Sequence, residues 1–255
     1  MCTPPFFYNL GSVKKKVKKI YTNIIYCGRN RYCPICGKHS RIFREYGVIP
    51  RKDAQCIFCG SRERHRLLWL FLQRKTNLFT SECKNKKMLH IAPEKYFKNK
   101  FRLLLGENYI TADLYKSSAM VKMDITNIEY PEKSFDIIVC NHVLEHVLDD
   151  IKAIKEFFRV LKDDGWAILL VPITSEKTIE DPLIVSPQER FRIFGQKDHV
   201  RRYGKDYIER LRSAGFQVAV TKASEIASDN EIIKMGLSES PESEFEATEI
   251  YCCTK

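Results

Sequence analysis

Ser134-Phe135-Asp136-Ile137-Ile138-Val139-Cys140-Asn141-His142 is the stretch on which the fold turns. Its apolar run is short, rich in β-branched residues and bounded by polar ones, which reads as a strand buried on both faces. Beyond it, Asp149 or Asp150 can cap a helix whose apolar positions Ile151, Ile154, Phe157, Phe158 and Leu161 keep a 3.6-residue period. Asp163-Asp164-Gly165 is expected to end that helix, and Trp166 to Pro172 to form a second buried strand. Working outward, Met88 to Ala92 and Tyr109 to Asp113 read as strands, with a basic stretch from Glu94 to Gly106 between them. Tyr207 to Ala214 reads as a helix stopped by Gly215. Phe216 to Val220 and Glu249 to Cys253 are the last strands, with no evident helix between them, so an antiparallel edge is expected. The acidic, Ser-rich residues 224–246 read as a loop. Alternating β and α units of this size predict an α/β fold with a doubly wound, mostly parallel sheet.

A different pattern precedes this. Cys33-Pro34-Ile35-Cys36 and Cys56-Ile57-Phe58-Cys59 are two Cys-x-x-Cys knuckles separated by 19 residues. Four soft ligands converging on one point suit tetrahedral Zn²⁺, and with the coordination sphere filled the ion holds structure. Gly37 and Gly60 follow the knuckles and can take the positive φ that turns backbone N–H groups toward the thiolates. Nothing near either pair reads as a thioredoxin-like unit, which argues against redox or disulfide pairs. Ser61 is the expected cap of a helix that runs into Leu67-Leu68-Trp69-Leu70-Phe71-Leu72, apolar nearly all round and so expected between ribbon and main domain. Arg62, Arg64 and Arg66 on it either contact phosphates or are solvated; Trp69 and Phe71 read as core. The chain thus divides into a basic arm (1–30), a zinc ribbon with linking helix (31–79), a linker (80–87) and a main domain (87–255). The lysines at 14–19 suggest an exposed helix or arm.

Of the 255 residues 44% are hydrophobic and 29% charged, so the chain reads as globular. No apolar run is long enough to span a bilayer, and the N-terminus lacks a signal-peptide pattern. Ten cysteines in that context suggest a reducing, cytoplasmic setting, with Cys2, Cys27, Cys83, Cys140, Cys252 and Cys253 as free thiols. The net charge of +11 is uneven: residues 1–87 hold 20 Lys/Arg against 4 Asp/Glu. That excess suits a polyanion such as nucleic acid, RNA included, or an acidic membrane surface, or else is a solvated basic face.

In a doubly wound sheet, ligands bind at the carboxyl ends of the strands near the point where strand order reverses. The polar residues there are His90 to Glu94, Asp113, Asp124 after Val121-Lys122-Met123, and Asn141-His142. This order resembles the class I S-adenosylmethionine-dependent methyltransferases of the type 11 group over most of residues 87–255, and it implies their seven-stranded Rossmann-like sheet. Ser134 to Val147 looks like the family's fourth-strand block and Leu161 to Leu169 like its fifth. The resemblance implies that Asp113, followed by Leu114, holds the ribose diol and that Asp124-Ile125 reads the adenine. The family's Gly-rich loop is replaced by Leu89-His90-Ile91-Ala92-Pro93-Glu94. His90 stands at the usual acidic position, and Ala92 and Glu94 at glycine positions. Ala92 still allows close approach, and Glu94 can face the cofactor's amino group; Asn141 completes the cofactor set. A subset of the group carries this His-x-Ala-Pro-Glu variant together with a run similar to Gly195 to Gly204.

Methyl transfer needs mainly alignment, with a general base if the acceptor is a hydroxyl. His142 and His199 are the candidate bases, Asp198 could orient His199, and Arg201 or Arg202 could hold an anionic acceptor. His142-x-x-Glu145-His146 also resembles the Glu-x-x-Glu-His metal site of ubiquinone-pathway and small-RNA 3′-end O-methyltransferases. That resemblance implies a second divalent metal at His142, Glu145 and His146 on one helix face, with His199 as a distant fourth ligand. The leading expectation is methyl transfer from S-adenosylmethionine to oxygen or nitrogen, slightly favouring a small molecule or sugar under residues 174–205. An RNA methyltransferase using the basic ribbon, or a non-catalytic zinc-ribbon RNA-binding protein, are the alternatives.

Overall fold

A computed structural model describes residues 21–47, 50–115, 119–237 and 249–255; the lysine run at 14–19 and Cys2 lie outside them. Two antiparallel hairpins come first, β1 (Arg31–Cys33) with β2 (Lys38–Ser40) and β3 (Arg44–Tyr46) with β4 (Arg51–Gln55). Helix α1 (Glu63–Lys75) follows. The main sheet is built from β5 (Met88–Ile91), β6 (Tyr109–Asp113), β7 (Val121–Lys122), β8 (Phe135–Asn141), β9 (Leu161–Leu170), β13 (Gln217–Lys222) and β14 (Glu249–Thr254). Its spatial order is β13-β14-β9-β8-β5-β6-β7. Pairs among β5 to β9 are parallel, and β14 runs antiparallel to both neighbours, the edge expected from the sequence.

Burial explains which runs became strands. Every residue of β5 and of β8 is buried, because both faces are covered. Helix α2 (Lys95–Leu105) fills the basic stretch and turns Phe97, Phe101 and Leu105 inward. Helix α3 (Asp150–Val160) starts where expected, with Asp149 accepting from the Lys152 N–H at 2.9 Å. It ends earlier than expected: Val160 is its last residue, and β9 begins at Leu161. Gly165 is not a helix stop. A Cβ there would lie 2.8 Å from the Asp136 carbonyl oxygen, so a glycine lets β9 approach β8.

Residues 173–204 form a small separate sheet of β10 (Ile173–Ser175), β12 (Arg201–Gly204) and β11 (Ile179–Glu180), with α4 (Pro187–Phe194) between β11 and β12. Helix α5 (Tyr207–Ser213) precedes β13, and Gly215 after it has φ 108°. The segment expected as a loop contains two short helices, α6 (Ala223–Ile226) and α7 (Asp229–Met235). Glu225 and Glu231 reach back to the N–H groups of Lys222 and Ser228, which caps both helices. Arg74 of α1 pairs with Glu231 at 2.6 Å. Among the described residues no helix is long and apolar enough to cross a membrane.

Ribbon and sheet share one apolar core, in which Cys33, Ile35, Phe43 and Cys56 join Leu67 to Leu72 and the strands. Trp69 is 5% exposed and stacks on Phe97, a core residue as expected. Helix α1 starts one residue later than a Ser61 cap predicts, with Arg62 at the cap position. The Ser61 hydroxyl instead lies 3.1 Å from Cys59 Sγ and 3.3 Å from Cys33 Sγ. Arg66 corrects both readings given to it, since it is fully buried. Its guanidinium donates to the carbonyls of Ala54 (3.0 Å), Ser61 (2.8 Å), Met235 (2.6 Å) and Gly236 (2.6 Å) and stacks on Phe43. The planar five-donor fork can satisfy several buried acceptors at once, which no apolar residue replaces. Arg66→Leu orphans those carbonyls, and the expected loss is at least about 3 kcal/mol of stability, measured by urea unfolding; a loss under about 0.5 kcal/mol would show that the hub carries no weight.

Candidate active site

Strand order reverses beside β5, which has β6 on one side and β8 on the other. The crevice at the carboxyl ends of these strands is therefore where a ligand fits. The turn out of β5 is tight: Ala92 has φ 45°, and its N–H donates to the Ala112 carbonyl at 2.8 Å. A small side chain in a left-handed conformation does here what glycine does more easily. Glu94 then reaches across the crevice, accepting from Asn141 Nδ2 through Oε1 and meeting His90 Nε2 at 2.7 Å through Oε2. Burial works to raise the Glu94 pKa, but the His90 hydrogen bond and charge, with Arg64 nearby, hold it below the usual carboxylate range. His90 is fully buried, with its other ring nitrogen 2.8 Å from the Tyr109 hydroxyl. With both nitrogens engaged, His90 positions Glu94 from beneath and does not face the crevice. Asn141 Oδ1 is buried with no protein partner.

At the end of β6, Asp113 is 8% exposed and Oδ1 accepts from the Tyr115 N–H at 2.9 Å. Leu114 beside it is 37% exposed. Asp124 is exposed, and its Oδ1 accepts from the N–H and hydroxyl of Thr126 at 2.8 and 2.9 Å. Ile125 is buried. One aspartate sits at a strand end and the other builds a turn, each with an apolar neighbour.

Helix α1 carries two further groups to this region. Arg64 and His142 line one cavity together with Leu67, Val171, Ile173 and Glu249. Arg64 Nε is buried without a hydrogen-bond partner, and burial, then Arg62, lowers the Arg64 pKa to about 10. His142 follows β8 with φ 55° and donates its backbone N–H to the Leu170 carbonyl at 2.8 Å. Burial first, then Arg64, pulls the His142 pKa well below its ordinary value, so its imidazole is neutral at pH 7. His65 is 1% exposed, and its Nδ1 accepts from the Arg62 N–H at 3.0 Å. That bond needs the neutral ring.

Beyond His142 the chain makes a single 3₁₀ turn, Leu144–His146, so His142, Glu145 and His146 do not share a helix face. His142 Nδ1 lies 3.4 Å from Glu145 Oε1. The cluster that forms is Glu145, His146 and His199, whose ligand atoms lie within 4.8 Å of one another. Burial pushes Glu145 up to about 8 and lowers His199 to about 4, with His146 adding to the latter. Asp198 was expected to orient His199; its Oδ2 is instead 3.3 Å from His146 Nδ1. Both arginines of the following strand are engaged by the protein, Arg201 the more completely. Arg201 is 3% exposed and donates to the carbonyls of Leu144, Val147 and Leu148 and to Glu180. Arg202 donates to the carbonyl and hydroxyl of Thr174.

Residues 68–169, from α1 through most of β9, match the family model described as a methyltransferase domain. Over that stretch the chain is similar to methyltransferase domains. An uncharacterized methyltransferase of Bacillus subtilis, YcgJ, is 36% identical over 58 residues, which are 23% of this chain and 23% of that protein. The solved structure of YcgJ aligns over 74% of this chain and 97% of its own, at 19% identity and a TM-score of 0.47. A phosphoethanolamine N-methyltransferase 2 from Haemonchus contortus, in complex with phosphomonomethylethanolamine and S-adenosylhomocysteine, aligns over 75% of this chain and 53% of its own, at 14% identity and a TM-score of 0.49.

Ahead of the stretch that matches the family model, the four ribbon cysteines converge. Cys33 and Cys59 Sγ are 3.7 Å apart, and Cys36 and Cys56 Sγ 3.8 Å. A tetrahedral ion with metal–sulfur bonds of about 2.3 Å sets its sulfurs about 3.8 Å apart, so the cage fits Zn²⁺. Gly37 and Gly60 have φ 69° and 79°, and each donates its N–H to the carbonyl of its knuckle's first cysteine at 2.8 Å. Packed this closely, the thiols lean on one another. Hydrogen bonds from Cys36, then Cys56 and Cys59, pull the Cys33 pKa down, and the bond to Cys33 pushes Cys36 up. A divalent cation at the centre relieves that conflict.

Sequence reasoning left Arg64 between a phosphate contact and a solvated face and gave His65 no role; Arg64 lines the cavity with His142, and His65 Nε2 lies 4.0 Å from Glu94 Oε1. Burial, then the three neighbouring arginines, holds His65 well below its ordinary pKa of 6.5. Between those two values the unfolded chain binds the extra proton, so stability rises with pH there and is lost on acidification below about pH 6.5. His142 and His199 act in the same direction, and Glu145 in the opposite one between 4.5 and about 8. His65→Gln should flatten the acid-side fall by up to about 1.4 kcal/mol per pH unit, read as denaturation midpoint against pH.

Proposed function

We propose that the protein transfers the methyl group of S-adenosylmethionine to an oxygen or nitrogen of an acceptor, with a small molecule or sugar as the favoured class. The observation that carries this is the set of groups around the crevice beside β5. Arg64 has a buried, unpartnered Nε, Glu94 is kept ionised, and Asp113 stands at the end of β6. A guanidinium, a carboxylate and a second carboxylate at that spacing of elements complement the carboxylate, ammonium and ribose diol of the cofactor. Leu114 and Ile125 supply apolar surface for the adenine, Asp124 its polar partner, and Ala92 the close approach. Asn141 Oδ1 offers a further acceptor at the crevice. When bound, the cofactor supplies an electrophilic methyl carbon. The protein's part is to align the acceptor with that carbon and exclude water. His142, neutral and on the cavity wall beside Arg64, is the group that takes a proton from the acceptor.

The four ribbon cysteines bind Zn²⁺ in this reading, and the ion's work is structural: it holds the ribbon from which α1 carries Arg64 into the site. The many reduced thiols suit a cytoplasmic setting. RNA is a second acceptor class, supported by the basic excess of residues 1–87. It gains less from the ribbon helix than its sequence suggested, because Arg66 is buried and Arg62 stacks on Tyr46.

Two measurements test these assignments. Purified protein should contain one zinc per chain, and Cys59→Ser should lose it together with the thermal transition of the native fold; full stability without metal would remove zinc from the account. Calorimetric titration with S-adenosylmethionine or S-adenosylhomocysteine should give micromolar binding, about −8 kcal/mol. Asp113→Ala should weaken both about tenfold or more. Arg64→Gln should weaken S-adenosylhomocysteine while sparing 5′-methylthioadenosine, which has no carboxylate. Absence of binding to either cofactor form would end the methyltransferase reading.

A further inference from the structure

We propose that His65 binds the cofactor: its Nε2–H donates to the carboxylate of the methionine part, beside the ammonium that Glu94 takes. The assignment rests on the methyl-transfer reading above. Three buried polar atoms without a hydrogen-bond partner among the described residues belong to the groups around Glu94: Arg64 Nε, His65 Nε2 and Asn141 Oδ1. Buried polar groups are rarely left unpaired, so three of them about one carboxylate describe the ligand that completes them.

The neighbours of His65 fix where its proton is. The ring is 1% exposed, and Nδ1 accepts the Arg62 N–H at 3.0 Å, so the single proton of the neutral ring is on Nε2. Burial, with Arg64, Arg62 and Arg66 adding to it, keeps the ring neutral. Tyr96 and Phe97 pack against it, with ring centroids 4.8 and 6.2 Å away. Tyr96 in turn donates its hydroxyl to the Gly60 carbonyl at 2.7 Å, which ties the second cysteine knuckle to the first turn of α2. So held, Nε2 comes within 4.0 Å of Glu94 Oε1, too far for a hydrogen bond.

That gap has a chemical meaning. Glu94 is already held by His90 Nε2 at 2.7 Å and by Asn141 Nδ2, so His65 is not needed to keep it in place. A donor beside a carboxylate, with neither bonded to the other, matches a ligand that carries both an acceptor and a donor. An α-amino acid does so, because its ammonium and carboxylate sit on one carbon. The ammonium donates to Glu94 and to Asn141 Oδ1, and the carboxylate accepts from Arg64 Nε and His65 Nε2. Arg64 and His65 are consecutive residues in the first turn of α1. The helix that leaves the ribbon therefore supplies both donors, and the turn after β5 supplies the acceptor.

The test titrates the full-length, zinc-loaded protein by calorimetry with S-adenosylmethionine and with its decarboxylated form, which keeps the adenosine, sulfonium and ammonium but has no carboxylate. His65→Leu should weaken S-adenosylmethionine at least about tenfold and change the decarboxylated form by less than about twofold. His65→Gln should restore most of the loss: at this helix position a glutamine oxygen can accept the Arg62 N–H while its NH₂ group donates. A second readout uses the unaltered protein with isotope-labelled histidine. The Nε2–H resonance of His65 should move on adding S-adenosylhomocysteine and stay in place on adding 5′-methylthioadenosine, which lacks the amino-acid end. If His65→Leu does not fold, that resonance decides alone. The proposal is overturned if His65→Leu weakens both forms alike, which is a packing effect, if it weakens neither, or if the resonance does not respond to S-adenosylhomocysteine. In each of those cases binding of S-adenosylmethionine by the unaltered protein leaves the methyl-transfer reading standing; failure of the unaltered protein to bind either form sinks both.

Discussion

The guanidinium of Arg66 lies fully buried where three parts of the chain meet: the end of β4, the turn after the second cysteine knuckle, and the turn after α7. Its donors satisfy backbone carbonyls that the packing of ribbon against sheet would otherwise strand. A charge so placed is tolerated because nearly every donor has an acceptor and Phe43 covers its face. The consequence reaches the cavity lined by Arg64 and His142. Arg66 fixes the first turn of α1, and that same turn carries Arg64 and His65 against Glu94 and His142.

Helix α1, which shares its core with the ribbon, therefore supplies part of the cavity wall through Arg64 and Leu67. The ribbon's cysteine cage, its hairpins and the apolar run of α1 belong to one continuous core with the sheet. Ion pairing at the surface, as between Arg74 and Glu231, adds little by comparison, since both groups are about a third exposed. What joins the modules is burial of Leu67 to Leu72 and satisfaction of backbone polar groups at their seam.

The crevice beside β5 shows how a site can be built without the usual glycines. Ala92 accepts a left-handed turn, and Glu94 is then held by His90 from below and Asn141 from across the crevice. The result is a preorganised carboxylate at the reversal of strand order. A few residues away, the same backbone region places Glu145 with an unsatisfied oxygen among two imidazoles. Polar groups buried at this density are stable only when fully connected or when a ligand completes them.

Much of this was legible in the chain itself. Continuous apolar runs such as Phe135 to Cys140 report burial on two faces directly, and two Cys-x-x-Cys pairs report a four-thiol cluster of metal-ligand spacing, because each signal depends on neighbours in sequence. The two short helices after β13 were missed although Ser228-x-x-Glu231 is a capping pattern; their composition resembles a loop, and their stability comes from α1 and the ribbon. The roles of Arg66, Arg201, Arg202 and His90 were beyond the sequence for a related reason. A charged or polar side chain looks the same whether it faces water or a ring of buried carbonyls. Local pattern fixed the strands, the four-cysteine cluster and Asp113 at the end of β6. Tertiary packing alone decided which arginines are structural and that Arg64 faces the cavity, because those contacts join residues far apart in sequence.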